Sequence, residues 1–257
     1  MYLKNYQIKT LKVFKEFLDE CRLEHAKAIQ AKATLGINHN WVQEVFLRKG
    51  IEPKDTPTNG LGSYYPRIIF KVPTGGGKTL LAVEAIREFH ELFAQRSTGL
   101  VVWIVPSETI YSQTVAKIRD KSNPLRQLLD QASGGRTLVL EKGQTLSGQD
   151  IKENLVILFV MIQSVSRRNG SEALKIFQDS GGYEGFFPPD NRTDLHAAIL
   201  KDYPNLDLVS ELGSLLRTSL ANAIRVSRAL IIVDELHKVF SEQARETLNS
   251  LNPEMVL

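Results

Sequence analysis

The sequence predicts an α/β fold, a doubly wound and mostly parallel sheet, and three observations carry that prediction. Residues 100–105 (LVVWIV), 155–161 (LVILFVM) and 229–233 (ALIIV) are apolar at every position. Strands of this kind are buried on both faces, as in a parallel sheet with helices on either side. Between them lie segments whose apolar residues recur at three and four, the helical period. Strands alternating with helices are the pattern of βα units.

In chain order, residues 9–30 read as a helix with Leu11, Phe14, Phe17, Leu18 and Cys21 on one face. A second helical stretch falls around 40–49. Residues 51–65, rich in Pro, Gly, Thr and Asn, read as a loop. A strand at 67–72 (RIIFKV) then runs into a glycine-rich turn and a helix over 79–93. After the strand at 100–105 come a helix at 112–119, a short strand at 137–140, and the strand at 155–161. The strand at 229–233 precedes a helix reaching about residue 251. Residues of about 170–212 break this rhythm with GG, FFPPDN and YPN, and read as an insertion between two core strands with some helix near its end. The expected organisation is an N-terminal helical segment at 1–60 and a domain at 61–257 that carries the insertion. Residues 253–257 (PEMVL) read as a strand without a following turn, so the domain is expected to be truncated there.

A chain of 257 residues buries a substantial core, and 42% hydrophobic with 24% charged residues is ordinary for a globular protein. The formal net charge of +3 permits a nucleic-acid partner, but no dense basic stripe demands one. The single cysteine, Cys21, excludes an intramolecular disulfide framework and makes a reducing, cytoplasmic setting the expectation. No apolar signal core opens the chain, and the longest apolar run, 155–162, falls far short of the roughly 18 residues a membrane span needs.

The chemistry concentrates in two places. Residues 72–79 read VPTGGGKT, after a strand and before a helix. Gly75, Gly76 and Gly77 permit backbone conformations closed to residues with a Cβ. Their N–H groups can form an anion nest at the N-terminus of the following helix, with Thr74 at its entrance. Lys78 is placed to reach β- and γ-phosphates and Thr79 to ligate Mg2+. The general phosphate-loop pattern wants glycine where Val72 stands. The second place is 230–237, LIIVDELH, where two acids follow an apolar strand. Ligands of open α/β sheets bind beyond such carboxyl ends. Asp234 is the candidate for holding Mg2+ through water, and Glu235 the candidate general base for in-line attack on a γ-phosphate.

The pair VPTGGGKT and VDELH resembles motifs I and II of the superfamily 2 DEAD/DEAH-type helicases, with DELH as the DExH variant. Residues 3–7 (LKNYQ) resemble an N-terminal segment in which Gln7 would read the adenine edge; alternatively Gln7 only caps the first helix. Residues 105–114 (VPSETIYSQT) resemble motif Ia, and 161–165 (MIQSV) follow a strand as a T-x-Q-S segment does, with Met161 where Thr is common. The combination looks most like the restriction-subunit branch, the Res subunits of type III restriction enzymes.

The resemblance implies a RecA-like P-loop ATPase domain, the first of two helicase domains. It implies ATP and Mg2+ as cofactors and DNA as partner, with Pro106, Ser107, Gln163 and Ser164 facing the nucleic-acid backbone. It further implies a second RecA-like domain supplying arginine fingers, and a methyltransferase subunit as a further partner. Arg167 and Arg168 follow directly and either meet phosphates or sit in solvent. Two other readings stay open at this stage. One is a nucleotide-binding switch without turnover, which would have no use for Glu235. The other is a P-loop kinase or transferase with the insertion as a lid, where Arg192 is the insertion's one arginine.

Overall fold

The structure, a computed structural model, describes residues 3–73, 75–161, 176–177, 181–210, 213–234 and 242–257. Helix α1 (Asn5–Leu35) starts where the Gln7 Oε1 accepts the Lys4 N–H at 2.8 Å, and ends at Gly36, whose left-handed φ of 67° closes the last turn onto the Lys32 carbonyl. Helix α2 (Trp41–Arg48) is capped by the Asn40 side chain. Helix α3 (Lys78–Glu88) widens into a π-turn at Phe89–Phe93. Strand β1 (Gly99–Val105) precedes α4 (Glu108–Arg119) and α5 (Pro124–Ser133). Then come β2 (Thr137–Glu141), α6 (Gly148–Glu153) and β3 (Leu155–Met161). Helices α7 (Thr193–Asp202) and α8 (Leu220–Ser227) lead to β4 (Leu230–Val233), followed by α9 (Glu242–Ser250) and β5 (Met255–Val256).

The strands form one parallel sheet in the order β2-β3-β1-β4-β5. Alternate residues of its central strands feed two cores. Val101, Trp103, Val105, Ile157, Phe159 and Ile232 pack under α1 to α5. Val102, Ile104, Val156, Leu158, Ile231 and Val233 pack under α8 and α9. Burial on both sides is what makes these strands apolar at every position. The α/β, doubly wound expectation is met.

One strand expectation is corrected. Residues 67–72 do not form a regular strand; they pair with β5 through a single parallel bridge, Arg67 to Val256. The Ile68 N–H donates to the Val256 carbonyl at 2.9 Å, and the Val256 N–H to the Pro66 carbonyl at 3.1 Å. β5 is two residues long, so it presents partners for this one bridge only. Phe70 instead packs edge-on against Phe14 of α1, with ring centroids 5.2 Å apart.

The insertion builds a small satellite core. Phe187, Leu206 and Leu216 cluster beside α8. The His196 Nδ1 accepts the Leu216 N–H at 3.2 Å, and the Asn222 Oδ1 on α8 accepts the Asp207 N–H at 3.0 Å. Among the described residues no helix is long and apolar enough to cross a membrane.

Candidate nucleotide site

Because the sheet is parallel, all its carboxyl ends lie along one edge. The register sets Val105 beside Met161, and Ile104 beside Val233. The Asp234 N–H donates to the Ile104 carbonyl at 2.9 Å, so Asp234 leaves the sheet next to β1. The parallel bridge at Arg67 sends the glycine turn to the same edge, two positions along, with β5 between.

The turn itself is shaped by glycine. Gly75 and Gly77 sit at φ of 73° and 77°, the left-handed region, and Gly76 lies buried between them. A Cβ on Gly76 would stand 2.7 Å from the Val72 side chain and 2.8 Å from the Pro73 carbonyl. The Gly76 N–H donates to that carbonyl at 2.9 Å. Gly77 is the N-cap of α3, so Lys78 and Thr79 occupy its first turn, at the positive end of the helix dipole. Lys78, Thr79 and Asp234 line one cavity of about 850 Å³. Apart from Lys71, the residues that line the rest of the cavity are apolar, including Phe70, Leu81, Trp103 and Ile232.

Gln7 lies against the glycine turn. It is 3% exposed, and its amide is engaged at both ends. Its Oε1 accepts the Lys4 N–H, and its Nε2 donates to the Gly76 carbonyl at 2.9 Å. The Tyr6 hydroxyl donates to that same carbonyl. Tyr6 was not singled out from the sequence; its one signal there is its place beside Gln7 in LKNYQ.

Pro106 and Ser107 follow β1 on the sheet edge next to Asp234, with Ser107 as the N-cap of α4. Thr74, Gln163, Ser164, Arg167, Arg168 and Glu235 lie outside the described residues. The structure thus brings Gln7 against Gly76 and Gly77 of the turn, and sets Lys78, Thr79 and Asp234 on one cavity. Among the described residues no three His, Cys, Asp or Glu side chains cluster as a metal site. Mg2+ taken with a nucleotide needs one or two carboxylates besides phosphate oxygens and water, and Thr79 with Asp234 is a donor set of that kind.

The model of the family described as "Type III restriction enzyme, res subunit" matches residues 1–257, the whole chain. The chain belongs to this family. It is therefore a helicase-type ATPase domain of superfamily 2, and the Res-subunit match covers α1 and the insertion as well as the sheet. No curated protein matches the chain.

Proposed function

We propose that this Res-family chain is the ATP-binding and ATP-hydrolysing motor domain of a DNA helicase or translocase, from a restriction or related DNA-processing system. One observation carries the reading. A glycine turn with left-handed Gly75 and Gly77 opens α3, and its Lys78 and Thr79 share a cavity with Asp234 at the carboxyl edge of the sheet.

In this reading the N–H groups of the turn, with Thr74 at its entrance, cradle the phosphates, and Lys78 adds a point charge on the β- and γ-phosphates. Thr79 and Asp234 hold Mg2+, Asp234 through water. When bound, that ion neutralises charge on the phosphate oxygens. Glu235 accepts the proton of the attacking water. Pro106, Ser107, Gln163 and Ser164 line the edge that meets the DNA backbone. Arginines from a second RecA-like domain complete the far side of the phosphates, a contribution typically worth about 10³- to 10⁵-fold in rate. A cytoplasmic setting and a methyltransferase partner belong to the same reading.

The test is calorimetry with ATP and Mg2+, together with turnover in an assembly that holds both motor domains. Glu235→Gln should retain ATP binding and lose hydrolysis. Undiminished turnover in that variant would place the base elsewhere, and a wild-type chain that binds no nucleotide would remove the reading altogether. On its own the chain should hydrolyse more slowly than about 1 s⁻¹, the low end of ordinary enzyme rates.

A further inference from the structure

We propose that the insertion is tied to the nucleotide cavity, with Asn205 as a positioning residue that holds the strap leading into the glycine turn. The proposal rests on the nucleotide reading above and extends it to a part of the chain outside the motifs.

Three segments meet at one amide pair. The Asn205 Nδ2 donates to the Asn252 Oδ1 at 2.9 Å, and the Asn252 Nδ2 donates back to the Asn205 Oδ1 at 3.0 Å. The Asn205 Nδ2 also donates to the Ser250 carbonyl at 3.0 Å, and a carbonyl only accepts, which fixes the amide this way round. Asn252 is fully buried, at a left-handed φ of 53°, in the turn between α9 and β5. Arg225 of α8, 5% exposed, braces the same turn. Its Nε donates to the Ser250 carbonyl at 3.0 Å, and its guanidinium reaches Asp207 of the insertion at 2.9 Å. The third segment is the strap, residues 59–66. Its Gly60 N–H donates to the Asn249 carbonyl at 2.9 Å, and its Tyr65 hydroxyl to the Asn249 Oδ1. A Cβ on Gly60 would stand 2.1 Å from the Asn205 Nδ2 and 2.7 Å from the Asn252 Oδ1. Gly60 does not have a left-handed φ, so the amide pair, and not the backbone, requires glycine there.

These contacts lie one short step from the nucleotide cavity. Past the turn, Val256 of β5 bridges Arg67 at the end of the strap. The next residue on each side, Leu257 and Ile68, lines the cavity with Lys78, Thr79 and Asp234. β5 is itself fixed by its pairing with β4, whereas among the described residues the strap joins the sheet by that one bridge. A segment with few regular hydrogen bonds opens at low free energy, so what packs on Gly60 decides how firmly this wall of the cavity is held. The insertion supplies that packing through Asn205. Seating the insertion therefore favours the nucleotide-bound form of the site. Nucleotide in turn favours the seated insertion, because coupling between sites is reciprocal.

The test is hydrogen exchange read by mass spectrometry, with and without ATP and Mg2+, on wild type, Asn205→Ala and Gly60→Ala, alongside calorimetry. In wild type, nucleotide should slow exchange over residues 193–209 as well as in the glycine turn. In both variants the slowing over 193–209 should vanish and that at the turn should remain. ATP affinity should fall by about 5- to 10-fold, the low end of coupling between sites. Asn205→Ala leaves the buried Asn252 amide without its reciprocal partner, whereas Gly60→Ala removes no group and only displaces the pair. Agreement between them ties the effect to this contact. Insertion exchange in wild type that ignores nucleotide, or affinity unchanged in both variants, overturns the proposal and leaves the nucleotide site standing. Variants that melt earlier yet bind ATP as wild type does would make Asn205 a packing residue only, and also overturn it. Should either variant fail to fold, the wild-type comparison decides alone. Wild type that binds no nucleotide removes the site reading and the proposal with it.

Discussion

The two ends of α3 are built on opposite principles. At the N-terminal end polar groups are oriented and left reachable: Lys78 and Thr79 line a cavity, and the turn before them is held by donors from α1. At the C-terminal end polar groups are turned inward. Glu88 is 1% exposed, held by Lys15 at 3.0 Å and Arg87 at 2.7 Å. His90 is 3% exposed, its Nδ1 facing the Arg96 carbonyl at 3.1 Å. Not every group there finds a partner: Glu88 Oε2, Arg87 Nε and His90 Nε2 are buried without a hydrogen bond. The Glu84 Oε2 lies 2.9 Å from Arg87 as an ion pair but is not aligned as a hydrogen bond. A buried, incompletely satisfied polar group costs stability, whereas a solvated one waits for its ligand at little cost. The first end should therefore answer to nucleotide and the second to pH and folding.

Acidification should give the largest effect, chiefly through the far end. Burial, with the Arg96 charge second, pushes His90 down to about 4. An unfolded histidine titrates near 6.5. The folded protein thus binds this proton less readily than the unfolded chain, so stability is full above about 6.5 and is lost as pH falls from there to about 4. His90 alone should account for up to about 3 kcal/mol over that window. His25, whose ring contacts those of Trp41 and Phe93 and which burial also pushes down to about 4, adds in the same direction. Glu84 runs the other way, since burial raises it and the folded state then takes up its proton first. Denaturant melts at pH 7 and pH 5 should show the loss, and His90→Asn should flatten it. An acid limb unchanged in His90→Asn would mean the far end is not the sensitive one.

Next in size is Lys78→Ala. It should weaken binding of ATP with Mg2+ by about 10- to 100-fold, the range of a charge-assisted hydrogen bond, and leave ligand-free melting unaltered. A lower melting temperature would show that the two ends cannot be separated. Glu88→Gln is the mirror test. It should cost about 1–2 kcal/mol of stability, because Lys15 and Arg87 lose their charged partner but keep access to water. Nucleotide affinity should not move.

The nucleotide end of α3 was legible in the sequence and the far end was not. VPTGGGKT concentrates rare residue types at fixed spacing, so the chemistry of a phosphate turn shows in the letters. The sheet was legible for a related reason: burial on two faces leaves β1, β3 and β4 apolar throughout. Helix α5 escaped notice because its buried face includes Arg126, whose guanidinium is satisfied by the Thr137 carbonyl at 2.8 Å and the Asp130 carboxylate at 2.9 Å. Helix α8 hides likewise, with Asn222 and Arg225 buried on a face that pattern reading expects to be apolar. The pair of hydrogen bonds on the Gly76 carbonyl joins residues about 70 positions apart, and no local pattern announces which carbonyl a tyrosine will reach.

The smallest expected effect distinguishes charge from contact at the far end. Arg96 pairs with Glu254 just before β5, but its side chain is 38% exposed. An ion pair in that much solvent is typically worth about 0.2–1 kcal/mol. At pH 7, Arg96→Gln should therefore lower stability by less than about 1 kcal/mol, and by less still at high salt. The same charge also acts on His90, where it opposes protonation of the buried ring. Removing it lets the folded-state His90 titrate closer to 6.5, which reduces the stability lost on acidification. The deficit of Arg96→Gln relative to wild type should shrink between pH 7 and pH 5, and reverse if the His90 effect exceeds the lost ion pair. In the His90→Asn background that pH dependence should vanish, leaving only the small ion-pair loss. A deficit constant across pH in both backgrounds would mean that Arg96 holds this end by contact with Glu254 alone, and that burial by itself keeps His90 neutral.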